Sequence, residues 1–136
     1  MNTRGYQRYK AQSLNTMTQG ELLLLVLDEL VKRLLRGDLA LSQGDYELFE
    51  ASIDRCILIV RYLDDTLDRK YEISFQLHRL YEFFSYDLNR IKLGRNKTEL
   101  DRLRPLITDL RDTFRAAEQM VSSAQAQAAQ GGAPGM

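Results

Sequence analysis

The sequence predicts an all-α protein, an antiparallel four-helix bundle at residues 18–121 with an N-terminal arm at 1–17 and a disordered, flexible C-terminal tail at 122–136. Three observations predict it. Apolar residues recur three and four apart through four successive stretches, the spacing that gathers them on one face of a helix. Breakers are scarce, since the two prolines are Pro105 and Pro134 and four of the eight glycines (Gly5, Gly131, Gly132, Gly135) lie near the ends. No alternating strand pattern and no internal repeat competes with that reading. At 136 residues the chain is long enough for one domain and too short for two.

The arm is polar, with Tyr6, Tyr9 and Leu14 as its main apolar handles. Thr18-Gln19-Gly20-Glu21 reads as a capping box, with the threonine hydroxyl placed to accept the amide three residues on. The first helix then runs from about Gln19 to Leu41, with Leu23, Leu27, Leu30 and Leu34 on its main stripe. Ser42 to Gly44 ends it, and Asp45 is a good N-cap for a second helix whose inward positions are Leu48, Phe49, Ile53, Cys56, Ile57, Val60, Leu63 and Leu67. Asp68-Arg69-Lys70 makes a short break. The third helix spans about Tyr71 to Leu93, with Ile73, Leu77, Leu80, Phe84, Leu88 and Ile91 on one face and Gly94 as the left-handed residue past its end. Thr98 to Asp101 opens the fourth, with Leu100, Leu103, Ile107, Leu110 and Phe114 inward. Pro105 should kink that helix, the alternative being a helix that begins near Arg104 with proline in its first turn. Beyond Val121 the chain is rich in Ser, Ala, Gln and Gly and low in complexity.

Composition narrows the function. Nineteen basic and nineteen acidic side chains balance, which gives no electrostatic reason to bind nucleic acid or an anionic membrane. The longest apolar run, Leu22 to Leu27, is far short of the roughly 20 residues that span a bilayer. The N-terminus has no apolar signal core and the single cysteine can form no internal disulfide, so a reducing cytosol is expected. A di-iron bundle needs Glu-x-x-His on two helices, and this chain has one histidine, His78, with no glutamate three residues before it. Cys56 reads as a small buried hydrophobe and His78 as a surface or boundary residue. No phosphate-binding or dinucleotide loop occurs. No metal, cofactor or catalytic residue is expected, and the chain is not read as an enzyme.

The apolar surface exceeds what a four-helix core needs. Six consecutive apolar residues in the first helix project all round its axis, which leaves Leu22 and Leu25 off the main stripe. On the third helix Phe75, Tyr81, Phe83 and Tyr86 are a similar excess. Such a surplus marks a partner surface, unless the first helix is central, a homodimer covers it, or the arm folds over it as a lid.

The stretch from Tyr9 to Asp28 closely resembles the opening of the flagellar export chaperones of the FliS family, Tyr-x(4)-[Val/Leu]-x-Thr-x-[Ser/Thr]-Pro-x-Glu-Leu and then an apolar run. Tyr9, Leu14, Thr16, Thr18, Glu21 and Leu22 occupy the matching positions. The likeness continues through Ile53 to Leu63, Tyr81-Glu82-Phe83-Phe84 with Leu88, and Leu110 to Phe114, and covers roughly Tyr6 to Gln119. Gln19 replaces the usual proline, Val26-Leu27-Asp28-Glu29 replaces Leu-Tyr-[Asp/Asn]-Gly, Phe114 replaces a usual tryptophan, and Pro105 is not typical. The resemblance implies a chaperone in the bacterial cytosol that binds the disordered C-terminal segment of flagellin. It would block premature polymerisation and deliver the subunit to the flagellar export gate. A helical adaptor of the same secretion system with another client is the alternative. The expected client-binding residues are Tyr9, Leu14, Leu22, Leu25, Tyr81 and Tyr86.

Overall fold

A computed structural model describes residues 4, 5, 7, 8 and 17–131. Four long helices, α1 (Gln19–Ser42), α2 (Tyr46–Asp65), α3 (Ile73–Gly94) and α4 (Lys97–Gly131), carry the fold, and no strand occurs among the described residues. Each helix packs on the next in sequence, and α4 returns to α1, closing an antiparallel four-helix bundle. Tyr9 and Leu14 lie outside the described residues.

The helix starts follow from short-range chemistry. Thr18 Oγ1 accepts the Glu21 amide at 3.1 Å, and Asp45 Oδ1 accepts the Leu48 amide at 3.2 Å. Both are side chains placed to satisfy amides that have no carbonyl partner in the first turn. Gly44 makes the reversal between α1 and α2 with a φ of 75°, a conformation open to glycine at little cost. Other boundaries differ from the sequence expectation, among them the α2–α3 break, which takes in Leu67 and Tyr71. The left-handed residue after α3 is Arg95, with φ 47°, because the helix continues through Gly94. The Asn96 amide bonds Ile91 O at 3.1 Å, which closes the end, and the Arg95 guanidinium lies 3.8 Å from the centre of the Tyr46 ring. That stacking offsets part of the cost of a side chain at positive φ. The cap of α4 is Asn96, whose Oδ1 accepts the Glu99 amide at 3.1 Å, so the helix begins at Lys97 and not at Thr98 or Arg104. It passes through Pro105, whose ring is exposed and which has no amide to offer the Asp101 carbonyl one turn earlier, on a face open to water. The helix also runs beyond Val121 to Gly131, with every residue from Gln119 to Gln130 exposed.

The core is built from one stripe of each helix: Leu27, Leu30 and Leu34; Phe49, Ile53, Val60 and Leu63; Tyr81, Phe84, Leu88 and Ile91; Leu100, Leu103 and Ile107. Cys56 belongs to it, its sulfur 4.0 Å from Leu30 O, and burial pushes the thiol up to about 12. A thiol so held stays protonated at neutral pH and acts as a hydrophobe. At Gly37 the first two helices come so close that a Cβ would lie 3.2 Å from Ile53 Cδ1.

Polar ties set the register of two seams. Between α1 and α4, Asp28 accepts from Arg111 at 3.1 Å and Arg115 at 3.0 Å, and the buried Asp38 accepts from Arg104 at 2.6 Å and from Lys97. Between α2 and α3, Asp54 pairs with Lys92 at 2.8 Å. Nearer the other end His78 Nδ1 lies 2.7 Å from Asp64, and its Nε2 meets Glu82. The bond to Asp64 holds the imidazole above its ordinary value, an effect opposed by partial burial and by Arg69 and reinforced by the charges of Asp64 and Glu82.

The α3–α4 seam is different. Asp87 is 1 % exposed, and among the described residues neither carboxylate oxygen has a hydrogen-bond partner. Its nearest cation is Arg90 at 3.8 Å. Burial and then the neighbouring Glu99 raise its pKa. The folded protein therefore keeps a proton on Asp87 at pH values where the unfolded chain has released it, so this group destabilises the fold progressively as pH rises.

Two expected outcomes follow from these seams. Asp38→Ala should lower stability by about 1–2 kcal/mol in urea denaturation. That is less than a fully buried pair would lose, because Lys97 and Arg104 are partly exposed and can rehydrate. Asp87→Asn should raise the urea midpoint at about pH 8, and the gain should vanish by about pH 3, where the unfolded carboxyl is itself protonated. A variant less stable than the parent at both pH values would contradict the account of Asp87.

Candidate functional site

One end of the bundle is left open. There α2 stops at Asp65 and α3 does not start until Ile73, while α1 begins at Gln19 and α4 continues past both. The four helices thus fail to cover one another at that end, and an apolar groove of about 570 Å³ forms between them. Leu22 and Leu23 of α1 form one wall, and Leu77 of α3 and Phe114 of α4 contribute from the others. Leu63, Ser74 and Tyr81 are buried beneath it, and Tyr62, Tyr71 and Ile73 stand exposed around it.

The groove also carries polar groups, among them Gln19, Thr66, Asp68 and Ser74. Ser74 Oγ is buried and, among the described residues, has no hydrogen-bond partner. An unpaired buried hydroxyl costs free energy that an occupant carrying a donor or acceptor would recover. The Tyr81 hydroxyl is pushed up to about 12 by burial and by the Asp64 charge, so it stays neutral. Gly20, at the mouth, lies against the Glu118 carboxylate of α4, where a Cβ would meet it at 2.0 Å. That places an anion at the positive end of α1.

The expected binding residues divide. Leu22 is half-buried and lines the groove. Leu25 is 42 % exposed on the outer side of α1. Tyr81 departs from the expected exposure: it is 1 % exposed, part of the core, with its ring 6.5 Å from that of Phe84. It stands four residues after Leu77 and seven before Leu88, on the inward stripe of α3, so its ring underlies the groove as structure. Tyr86 is 65 % exposed on the outer face of α3, away from the groove, with the Arg90 guanidinium 5.7 Å from its ring centre. The structure therefore brings Leu22 and Tyr81 together and leaves Leu25 and Tyr86 on separate faces.

Sequence reasoning missed Tyr62, Leu67, Tyr71 and Ser74. A signal was present, since Leu67 and Tyr71 flank a charged break where apolar side chains have no helical face to join. Among the described residues no group of three or more His, Cys, Asp or Glu side chains could hold a metal ion, and no helix is long and apolar enough to cross a membrane.

Comparison with known proteins gives the family. Residues 1–121 match the family described as Flagellar protein FliS. The chain is also 26% identical over 114 residues to the Flagellar secretion chaperone FliS of Bacillus subtilis (strain 168), an alignment covering 84% of this chain and 86% of that protein. A family match over that much of the chain, on a four-helix bundle open at one end, leads to a plain conclusion: this protein belongs to the FliS family of flagellar proteins.

Proposed function

We propose that the protein is a cytoplasmic export chaperone that binds the disordered C-terminal segment of flagellin, keeps it from polymerising and delivers it to the flagellar type III export apparatus. The observation that carries this reading is the open apolar groove, in a chain of this family whose Bacillus relative is named a secretion chaperone. An unfolded client segment loses conformational entropy on binding, so its site must offer apolar area to offset that cost. Leu22, Tyr62, Tyr71 and Ile73 offer such area at the groove. Buried by a client side chain, each could contribute roughly 1.5–3 kcal/mol. The unpaired Ser74 hydroxyl adds one directional contact. Tyr9 and Leu14, which precede α1 in the sequence, are assigned to the same client site.

Calorimetry tests the assignment directly. A peptide of the last several tens of residues of flagellin should bind one-to-one, and flagellin lacking that segment should not bind. Tight binding of the truncated flagellin would overturn the reading. Residue by residue, Leu22→Asp and Tyr62→Asp should weaken the peptide by roughly 1–3 kcal/mol each while changing stability little. Tyr81→Ala should instead cost about 3–5 kcal/mol of folding stability, because it opens a cavity in the core. The checks are urea denaturation and peptide titration on the same preparations.

A further inference from the structure

Hydroxyl groups on helices commonly turn back to the helix's own carbonyls, and two threonines of this bundle do so. Thr66 Oγ1 donates to Tyr62 O at 3.0 Å, and Thr113 Oγ1 donates to Asp109 O at 2.8 Å. Ser74 does not. It lines the groove, it is 2 % exposed, and its Oγ has no hydrogen-bond partner among the described residues. Ser74 is the second residue of α3, where the carbonyl three residues back, Tyr71 O, already accepts the Ser74 amide at 3.0 Å.

The other polar groups of the groove are placed differently. Gln19, Thr66 and Asp68 are exposed, so water can satisfy them without a client. Asp68 Oδ1 also accepts the Lys70 amide at 3.0 Å. Tyr81, seven residues after Ser74 and so on the same side of α3, brings a second hydroxyl to the lining, neutral like the first. The floor is therefore apolar with uncharged hydroxyls. A charged side chain carried to the depth of Ser74 would lose its water against a neutral partner, a cost that one hydrogen bond does not offset. A purely apolar side chain would leave Ser74 Oγ buried and unsatisfied. An uncharged side chain with a donor or an acceptor avoids both costs. Ser74 lies below a rim on which Tyr62, Tyr71 and Ile73 stand exposed, a depth that suits a single side chain better than a main chain with its flanking residues.

We infer that Ser74 is a specificity-determining residue: the segment held in the groove places one uncharged hydrogen-bonding side chain, that of Asn, Gln, Ser or Thr, on Ser74 Oγ, among apolar residues seated on Leu22, Leu77 and Phe114. This deepens the reading that a client segment occupies the groove and rests on it. Apolar burial has no direction, so a segment held by it alone could slide along the groove. One buried hydrogen bond fixes the register, because every other register leaves the serine and its partner unsatisfied.

The test uses the full-length protein and its Ser74→Ala variant, with the flagellin C-terminal peptide and copies of it in which each Asn, Gln, Ser and Thr is changed singly to Ala. The urea midpoint of the variant should equal or exceed the parent's, since the hydroxyl bonds no described residue. A lower midpoint would show a bond within the fold and overturn the inference. Calorimetry should find the natural peptide about tenfold weaker on the variant, because the client's polar group is then buried without a partner. One peptide position should weaken binding to the parent by a similar factor, and the same change should cost the variant nothing. Equal affinity of the two proteins for the natural peptide would overturn the inference and leave the groove reading intact. Peptide changes that act equally on both proteins would also overturn it, reducing Ser74 to packing. Failure of the parent to bind the natural peptide would remove the chaperone reading and this one with it.

Discussion

Helix α1 cannot be satisfied by one neighbour. Its six consecutive apolar residues, Leu22 to Leu27, point in every direction around the axis, whereas an ordinary bundle helix has a single apolar stripe to cover. The fold answers by packing α1 against both α2 and α4, which buries Leu27, Leu30 and Leu34 and half-buries Leu23, Leu24 and Val26. Within that run, coverage fails at Leu22, which lines the groove, and at Leu25, which is exposed. The candidate binding surface is thus the remainder of the same constraint that builds the core.

Because apolar packing has little directional preference, the register of these helices depends on polar pairs. Asp28 and Asp38 on α1, two turns and more apart, each take two cations from α4, so a slip of either helix would strand carboxylates or guanidinium groups. The α2–α3 seam has ties of its own, Asp54 with Lys92 and Asp64 with His78. The α3–α4 seam carries Asp87, which has no hydrogen-bond partner among the described residues and lies beside another carboxylate. A bundle tied by polar pairs on two seams, with the buried Asp87 carboxylate on the α3–α4 seam, has its stability distributed unevenly, and that last seam is where local opening should cost least.

The chemistry of the open end suits a partner that is itself unfolded. A folded partner would present a fixed shape, and affinity would depend on complementarity across a broad face. An extended or helical segment can instead insert side chains one at a time between Tyr62, Tyr71 and Ile73. It gains apolar burial with each step against the entropy of ordering. Leu63 and Tyr81 form the packed floor of the groove, and Tyr62, Tyr71 and Ile73 stand exposed at its rim.

Several features were legible in the sequence because they are local. The 3.6-residue periodicity defined the helices, and the caps at Thr18 and Asp45 act over three residues, so the amides they satisfy could be named in advance. The excess of apolar surface was legible too, since it is a property of α1 alone. What the tertiary structure decided was where that excess ends up. Tyr81 and Tyr86 stand five residues apart on one helix, and only the positions of the neighbouring helices bury the first and expose the second. Arg95 takes the left-handed position beside an available Gly94, where its guanidinium meets Tyr46, a ring from the start of α2. The groove joins residues from 19 to 114, and the partners of Asp28 and Asp38 come from the far end of the chain. Such juxtapositions are set by which surfaces the helices bury against each other, a balance struck over the whole bundle and written in no single segment.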